Sequence, residues 1–109
     1  MKFAIRTVIP YRSFWMNIRA IRHRGLRRFL QDDEPKELRP DLVNRTRNIL
    51  TALVAAANME GVTGPPGWRI HQLAGDRAGI WSVSVSGNWR ITFEIEAGEI
   101  TNLDLEDYH

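Results

Sequence analysis

At Gly64-Pro65-Pro66-Gly67 the hydrophobic period of the chain changes, and this change constrains the fold more than any other feature of the sequence. Upstream, apolar residues recur every three to four positions; downstream they recur every second one. The glycine–proline cluster between the two regimes is a stiff stop. Before it, Leu26, Phe29 and Leu30 fall at i, i+3 and i+4, with Arg24, Arg27 and Arg28 off that stripe. The spacing predicts an amphipathic helix over 23–31 with a basic outer face. Asp32-Asp33-Glu34-Pro35 ends it, because a residue preceding proline is pushed out of helical geometry. A second helix is expected from Pro40, where proline suits a first turn and Asp41 suits the positive helix end. Its apolar stripe comprises Leu42, Val43, Ile49, Leu50, Leu53, Val54 and Ala57. Residues 18–21 read as a short strand.

After the stop, Trp81, Val83 and Val85 alternate with Ser82, Ser84 and Ser86. Trp89, Ile91, Phe93 and Ile95 then alternate with Arg90, Thr92 and Glu94, and Leu103 and Leu105 share one side of a last strand. Each strand has one apolar and one polar face. The inward residues of the first two strands are odd-numbered, so facing pairs must sum to an even number. That parity predicts a three-residue Ser86-Gly87-Asn88 loop pairing Val85 with Trp89, Val83 with Ile91 and Trp81 with Phe93. The same logic predicts a three-residue Ala97-Gly98-Glu99 turn. The expected fold class is α+β: two N-terminal helices packed on the apolar face of a small antiparallel sheet.

A chain of 109 residues is long enough to bury one core without staples, and it contains no cysteine for a disulfide, a thiolate zinc site or a thiol nucleophile. The longest apolar run, residues 49–57, is far short of the roughly 20 residues that cross a bilayer. With no signal-peptide pattern either, a cytoplasmic location is expected. Residues 1–15 carry a proline and four aromatics without a clean period, whereas the patterned region opens at Met16. They read as an N-terminal extension preceding a single domain at 16–109, with Met16 as an alternative start; an accessory strand over 3–9 is the competing reading.

Net charge is only +2, but the charge is unevenly distributed. Residues 1–30 hold eight basic side chains and no acidic one, and from Glu94 onward there are six carboxylates and no Lys or Arg. Thirteen of the fifteen basic residues are arginine, whose planar fork matches phosphate oxygens. Such asymmetry suits either a polyanion partner or a solvated charged face. On the polar side of the sheet Arg90 is flanked by serines and threonine. His71 ends the preceding strand-like segment, Asp76-Arg77 follows in a loop, and the chain ends in Asp107-Tyr108-His109. Together these groups meet the needs of RNA cleavage without a metal. Histidine can accept or donate the proton, a guanidinium can hold a phosphorane, and a tyrosine ring can stack on a base. The three histidines show no zinc-ligand spacing, and no phosphate-binding glycine loop or serine nucleophile elbow is present. No cofactor is expected.

The segment GWRIH at 67–71, then Leu73, Gly75-Asp76, the run GIWSVSVSGNWRITF at 79–93 and the terminal DYH resemble the HigB-type toxins. These are plasmid-maintenance killer proteins of the RelE superfamily. IRHRGLRRF at 21–29 is similar to that family's opening segment, so the resemblance spans about residues 17–109. It implies a RelE-like α+β fold of the microbial RNase type and a metal-independent endoribonuclease that cleaves mRNA on the ribosome and arrests translation. It also implies a HigA-like helix-turn-helix antitoxin as partner, with operator DNA contacted only through that antitoxin, and no membrane partner. The family's catalytic positions fall on His71, Arg90, Asp107, Tyr108 and His109. His71 and His109 would share acid and base duties, and Asp107 would orient or act as an additional base. Arg90 would hold the scissile phosphate and Tyr108 would stack. Arg69, Arg77, Arg24, Arg27 and Arg28 are the further RNA-binding candidates. One position departs from the family: Ala74 stands where a phosphate-contacting lysine is usual, with Arg69 and Arg77 as nearby substitutes. A catalytically weak or silent homologue, acting as antitoxin-binding partner and operon corepressor, is the alternative that this departure implies.

Overall fold

The computed structural model describes residues 16–107. Two helices precede a four-stranded antiparallel sheet with strand order β1-β2-β3-β4. The helices are α1 (Arg24–Asp32) and α2 (Val43–Ala55); the strands are β1 (His71–Gln72), β2 (Trp81–Ser86), β3 (Trp89–Glu96) and β4 (Glu99–Asp107). The α+β expectation therefore holds, although the helices occupy the first half of the chain rather than its N-terminus. The expected extension at 1–15 lies outside the described residues.

Residues 17–22 run parallel to β4 and cover its outer edge from Ile100 to Leu103. Ile18 bridges Ile100 and Ile21 bridges Leu103. The amides of Arg19 and Arg22 donate to the carbonyls of Ile100 and Leu103, both at 2.7 Å. Met16, Ile18 and Ile21 are buried, so the strand expected over 18–21 is present as two isolated bridges anchored by apolar contacts.

His23 caps α1, its Nδ1 accepting the Leu26 amide at 3.1 Å, which satisfies one of the helix's free donors. Asp33, in left-handed geometry, ends the helix two residues before Pro35. Gly25 lets α1 approach the next segment closely, since a Cβ there would sit 2.8 Å from the Glu37 carbonyl. A 3-10 turn at Pro40–Leu42 leads into α2, as the proline predicts. Thr46, Ile49, Leu50 and Leu53 form the buried stripe of α2. After the helix Ala56 is buried, and Ala57, expected on the stripe, is exposed. The buried residues of both helices join Val83, Ile91, Phe93, Leu103 and Leu105 of the sheet in one core. Each fully buried aliphatic or phenyl side chain of this kind contributes about 1.5–3 kcal/mol.

The register deep in the hairpins follows parity: Trp81 faces Phe93 and Val83 faces Ile91. The turns do not follow it. Ser86 pairs with Trp89 across a two-residue Gly87-Asn88 turn, and Glu96 pairs with Glu99 across Ala97-Gly98. Two β-bulges absorb the difference. Val85 is the extra residue between Ser84 and Ser86, and Asn102-Leu103 together oppose Phe93. A bulge adds one residue to one strand, so a two-residue turn can coexist with a core register of the opposite parity. Ala97 and Gly98 both have positive φ (51° and 79°), the geometry that two-residue hairpins demand. Trp81 and Trp89, expected in the core, are half-buried at its margin, and the Arg39 guanidinium lies 5.8 Å from the centroid of the Trp89 ring.

Candidate active site

The face of the sheet turned away from the helices carries polar side chains in ranks set by the register. One rank runs His71, Ser82, Thr92 and Asp104 across the four strands; the next runs Ser84, Arg90 and Glu106. Directly paired residues on neighbouring strands present their side chains to the same face, so these groups share one surface. It is not a freely solvated surface. Ser82 and Thr92 are each only 2% exposed, and the Arg90 side chain is 16% exposed.

Arg69, His71, Ser82, Ser84 and Arg90 line an open concavity of about 360 Å³ on the β1–β3 side of this face. Its outer wall is built by the loop that breaks the sequence period. A Cβ on Gly64 would lie 2.1 Å from the Trp68 ring, so only glycine permits the indole to fold onto the loop. The 3-10 turn Pro66–Trp68 then delivers Arg69 in left-handed geometry (φ 48°). In that conformation the Arg69 carbonyl meets His71 Nδ1 at 2.5 Å. A carbonyl can only accept, so Nδ1 carries the proton and donates it to this bond, which leaves Nε2 as the ring nitrogen free for proton transfer.

Glu106, opposite Arg90 on β4, anchors a second polar cluster. Arg77, from the turn between β1 and β2, donates to both of its carboxylate oxygens, at 2.9 and 2.6 Å, and the Thr92 hydroxyl donates to Oε2. The Arg90 guanidinium lies 4.0 Å from Oε1. Hydrogen bonding from Arg77 holds the Glu106 carboxyl below the usual glutamate range; the Thr92 hydrogen bond and the positive charges of Arg77 and Arg90 act in the same direction, against partial burial. Reciprocally, Glu106 raises the Arg77 guanidinium. Arg77 and Glu106 also border a neighbouring hollow of about 220 Å³ with Arg22 and Asp104.

Of the residues singled out from sequence, the structure brings Arg69, His71 and Arg90 together. Arg77 lies beside them, but its fork is engaged by Glu106. Asp107 pairs with Trp89 at the end of β4, and the pleat assigns Glu106, not Asp107, to the Arg90 face. Tyr108 and His109 lie outside the described residues. Arg24, Arg27 and Arg28 line neither hollow. Arg24 and Arg28 pair with Glu37 at 3.2 and 2.8 Å, and Arg27 donates to the Ile21 carbonyl. Glu106 is not among the sequence candidates, although it follows the apolar Leu105 and stands two positions after Asp104, on the polar side of the strand. Alternation alone could have placed it opposite Arg90.

A small α+β domain that sets forked cations and an oriented imidazole around one open hollow is built to hold an anion next to a proton-transfer group. The chain belongs to the HigB-like toxin family, the RelE-like toxins of type II toxin–antitoxin systems, which it matches over residues 19–109. It is also 34% identical over 92 residues to Endoribonuclease HigB of Proteus vulgaris, an alignment covering 84% of this chain and 99% of that protein. Among the described residues no helix is long and apolar enough to cross a membrane.

Proposed function

We propose that the protein is an endoribonuclease toxin that cleaves mRNA by acid–base chemistry and is held in check by an antitoxin. The observation that carries this reading is the shared hollow of Arg69, His71 and Arg90. In the cleavage step a base removes the ribose 2′-OH proton, and the 2′-oxygen attacks the adjacent phosphorus. The P–O5′ bond breaks as an acid protonates the departing oxygen, giving a 2′,3′-cyclic phosphate and a free 5′-hydroxyl. Arg90 and Arg69 hold the phosphate oxygens, where negative charge grows. His71, through Nε2, and His109 divide the base and acid roles. Asp107 orients the terminal segment, and Tyr108 stacks on a neighbouring base. Arg24, Arg27 and Arg28 contribute long-range attraction to the polyanion. The cleavage takes place on translating ribosomes in the cytoplasm. The antitoxin is a HigA-like helix-turn-helix protein, and operator DNA is reached only through it.

Expression without antitoxin is expected to arrest growth. Arg90→Ala should lower mRNA cleavage about 10²- to 10³-fold, the usual effect of removing one charge-stabilising donor, and deletion of Tyr108-His109 should also relieve arrest. If both forms arrest growth as strongly as the parent, the site assignment is wrong. The second reading, a silent partner and corepressor, rests on Ala74, which sits at the start of the 75–77 turn with no cationic side chain of its own. It requires harmless expression of the parent and toxicity on Ala74→Lys.

A further inference from the structure

We propose that Glu106 is a positioning residue for Arg90, and that Arg77 serves the site through Glu106 without touching RNA. The inference rests on the reading of Arg90 as the phosphate-holding group, and it deepens that reading.

Three observations carry it. First, the register sets Arg90 and Glu106 directly opposite each other on the same face, with guanidinium and carboxylate 4.0 Å apart. Second, Glu106 is held from two other elements. Arg77 reaches it with a bidentate fork from the turn between β1 and β2, and Thr92, buried beneath, donates to the same carboxylate. Third, the Arg77–Glu106 pair extends from the β1–β2 connection across β3 to β4, so it ties the strand that carries His71 to the strand opposite Arg90. A long arginine side chain in water samples many rotamers, and a site that needs one of them gains rate by fixing it before substrate arrives.

The charge balance points the same way. A carboxylate beside a phosphate-binding arginine would ordinarily repel the phosphate and neutralise the cation. Here the closer, bidentate partner of Glu106 is Arg77, and the more distant one is Arg90. Arg77 therefore offsets the carboxylate, so the three side chains sum to one positive charge, and Arg90 is the one of them that lines the hollow with His71. The same two hydrogen bonds occupy the Arg77 fork, which is why a direct phosphate contact is not assigned to it.

The test is the rate of mRNA cleavage in a cell-free translation mixture, with Arg90→Ala as the reference variant. Binding to a single-stranded oligonucleotide carrying a 2′-deoxy group at the cleaved linkage is measured in parallel. Glu106→Gln and Arg77→Lys should each lower kcat about tenfold per folded molecule, with KM and oligonucleotide affinity changed less than about threefold, because orientation is lost and binding is not. Combining them should cost little more than the worse single change, since both act on one element. Folded fraction is read from thermal unfolding, and a merely structural role would leave kcat per folded molecule at the parental value. That result for Glu106→Gln overturns the inference. So does an Arg77→Lys protein with weakened oligonucleotide binding and parental kcat, which would mean that Arg77 contacts RNA itself. A parent that does not cleave, or an Arg90→Ala protein equal to it, defeats the functional reading and this inference with it.

Discussion

The outer face of α1 and the polar face of the sheet both carry arginine, yet the two regions use it in opposite ways. On α1 the guanidiniums are plentiful and solvent-facing; the Arg24 side chain is 77% exposed, and it shares Glu37 with Arg28. Farther upstream, Arg19 pairs with Glu96 at 2.7 Å and lies 3.8 Å from Glu99. Among the described residues of the basic stretch, Arg19, Arg24 and Arg28 thus meet carboxylates of the same chain. On the sheet the cations are few, but Arg90 is set among buried hydroxyls, beside an imidazole whose Nδ1 is held by the Arg69 carbonyl. Exposed pairs are screened by water and salt, whereas a partly buried, oriented cation acts at much lower effective dielectric. Placement, more than number, separates the two sets of arginines.

That contrast can be broken most directly by exchanging the losses. Removing Arg24, Arg27 and Arg28 together should lower cleavage in cell-free translation less than about tenfold and flatten its salt dependence, while Arg90→Ala alone lowers it by the far larger factor given above. A triple variant as inactive as Arg90→Ala would invert the comparison. Gly64→Ala should come next in size. The added methyl collides with the Trp68 ring, and overpacking of this kind costs about 1–3 kcal/mol. Thermal unfolding should show the loss, and activity should fall with it, because the same loop aims Arg69 at His71.

Acidification gives a third, smaller effect. Glu106 has its folded-state pKa below the ordinary value of 4.5, so its stabilising contribution is complete above that value and is lost as pH falls through the folded one. Denaturant unfolding of the parent should therefore weaken more steeply below about pH 4.5 than that of Glu106→Gln. Parallel curves would remove the Arg77–Glu106 pair from the account of stability. Smallest of all, Glu37→Gln should change stability by no more than about 1 kcal/mol, as exposed ion pairs do. A larger drop in the unfolding midpoint would show that the α1 face is structural after all.

Much of this architecture is legible in the sequence, because period is a local signal. Leu26, Phe29 and Leu30 announce α1, and the alternation around Val83 and Ile91 announces the hairpin and its deep register. The turns were not legible for a physical reason. Parity assumes an unbroken pleat, and the bulges at Val85 and Asn102 shift it where no residue type demands a shift. In the site, His71 and Arg90 stand out by chemistry and Arg69 by its neighbourhood. What the sequence hides is which charges meet. Arg77 and Glu106 are 29 residues apart, and only the folded sheet shows that the first is consumed by the second.

The stretch that runs alongside β4 has a bearing on how copies of the protein meet. Because residues 17–22 already occupy that flank at Ile100–Leu103, with the Met16, Ile18 and Ile21 side chains buried, a foreign peptide or a sister molecule cannot extend the sheet at that stretch without first peeling them away. On the opposite flank the two residues of β1 pair with Trp81 and Ser82, the first two residues of β2. Fibre growth from the Ile100–Leu103 stretch would have to give up backbone hydrogen bonds and buried apolar contacts that the protein already makes with itself.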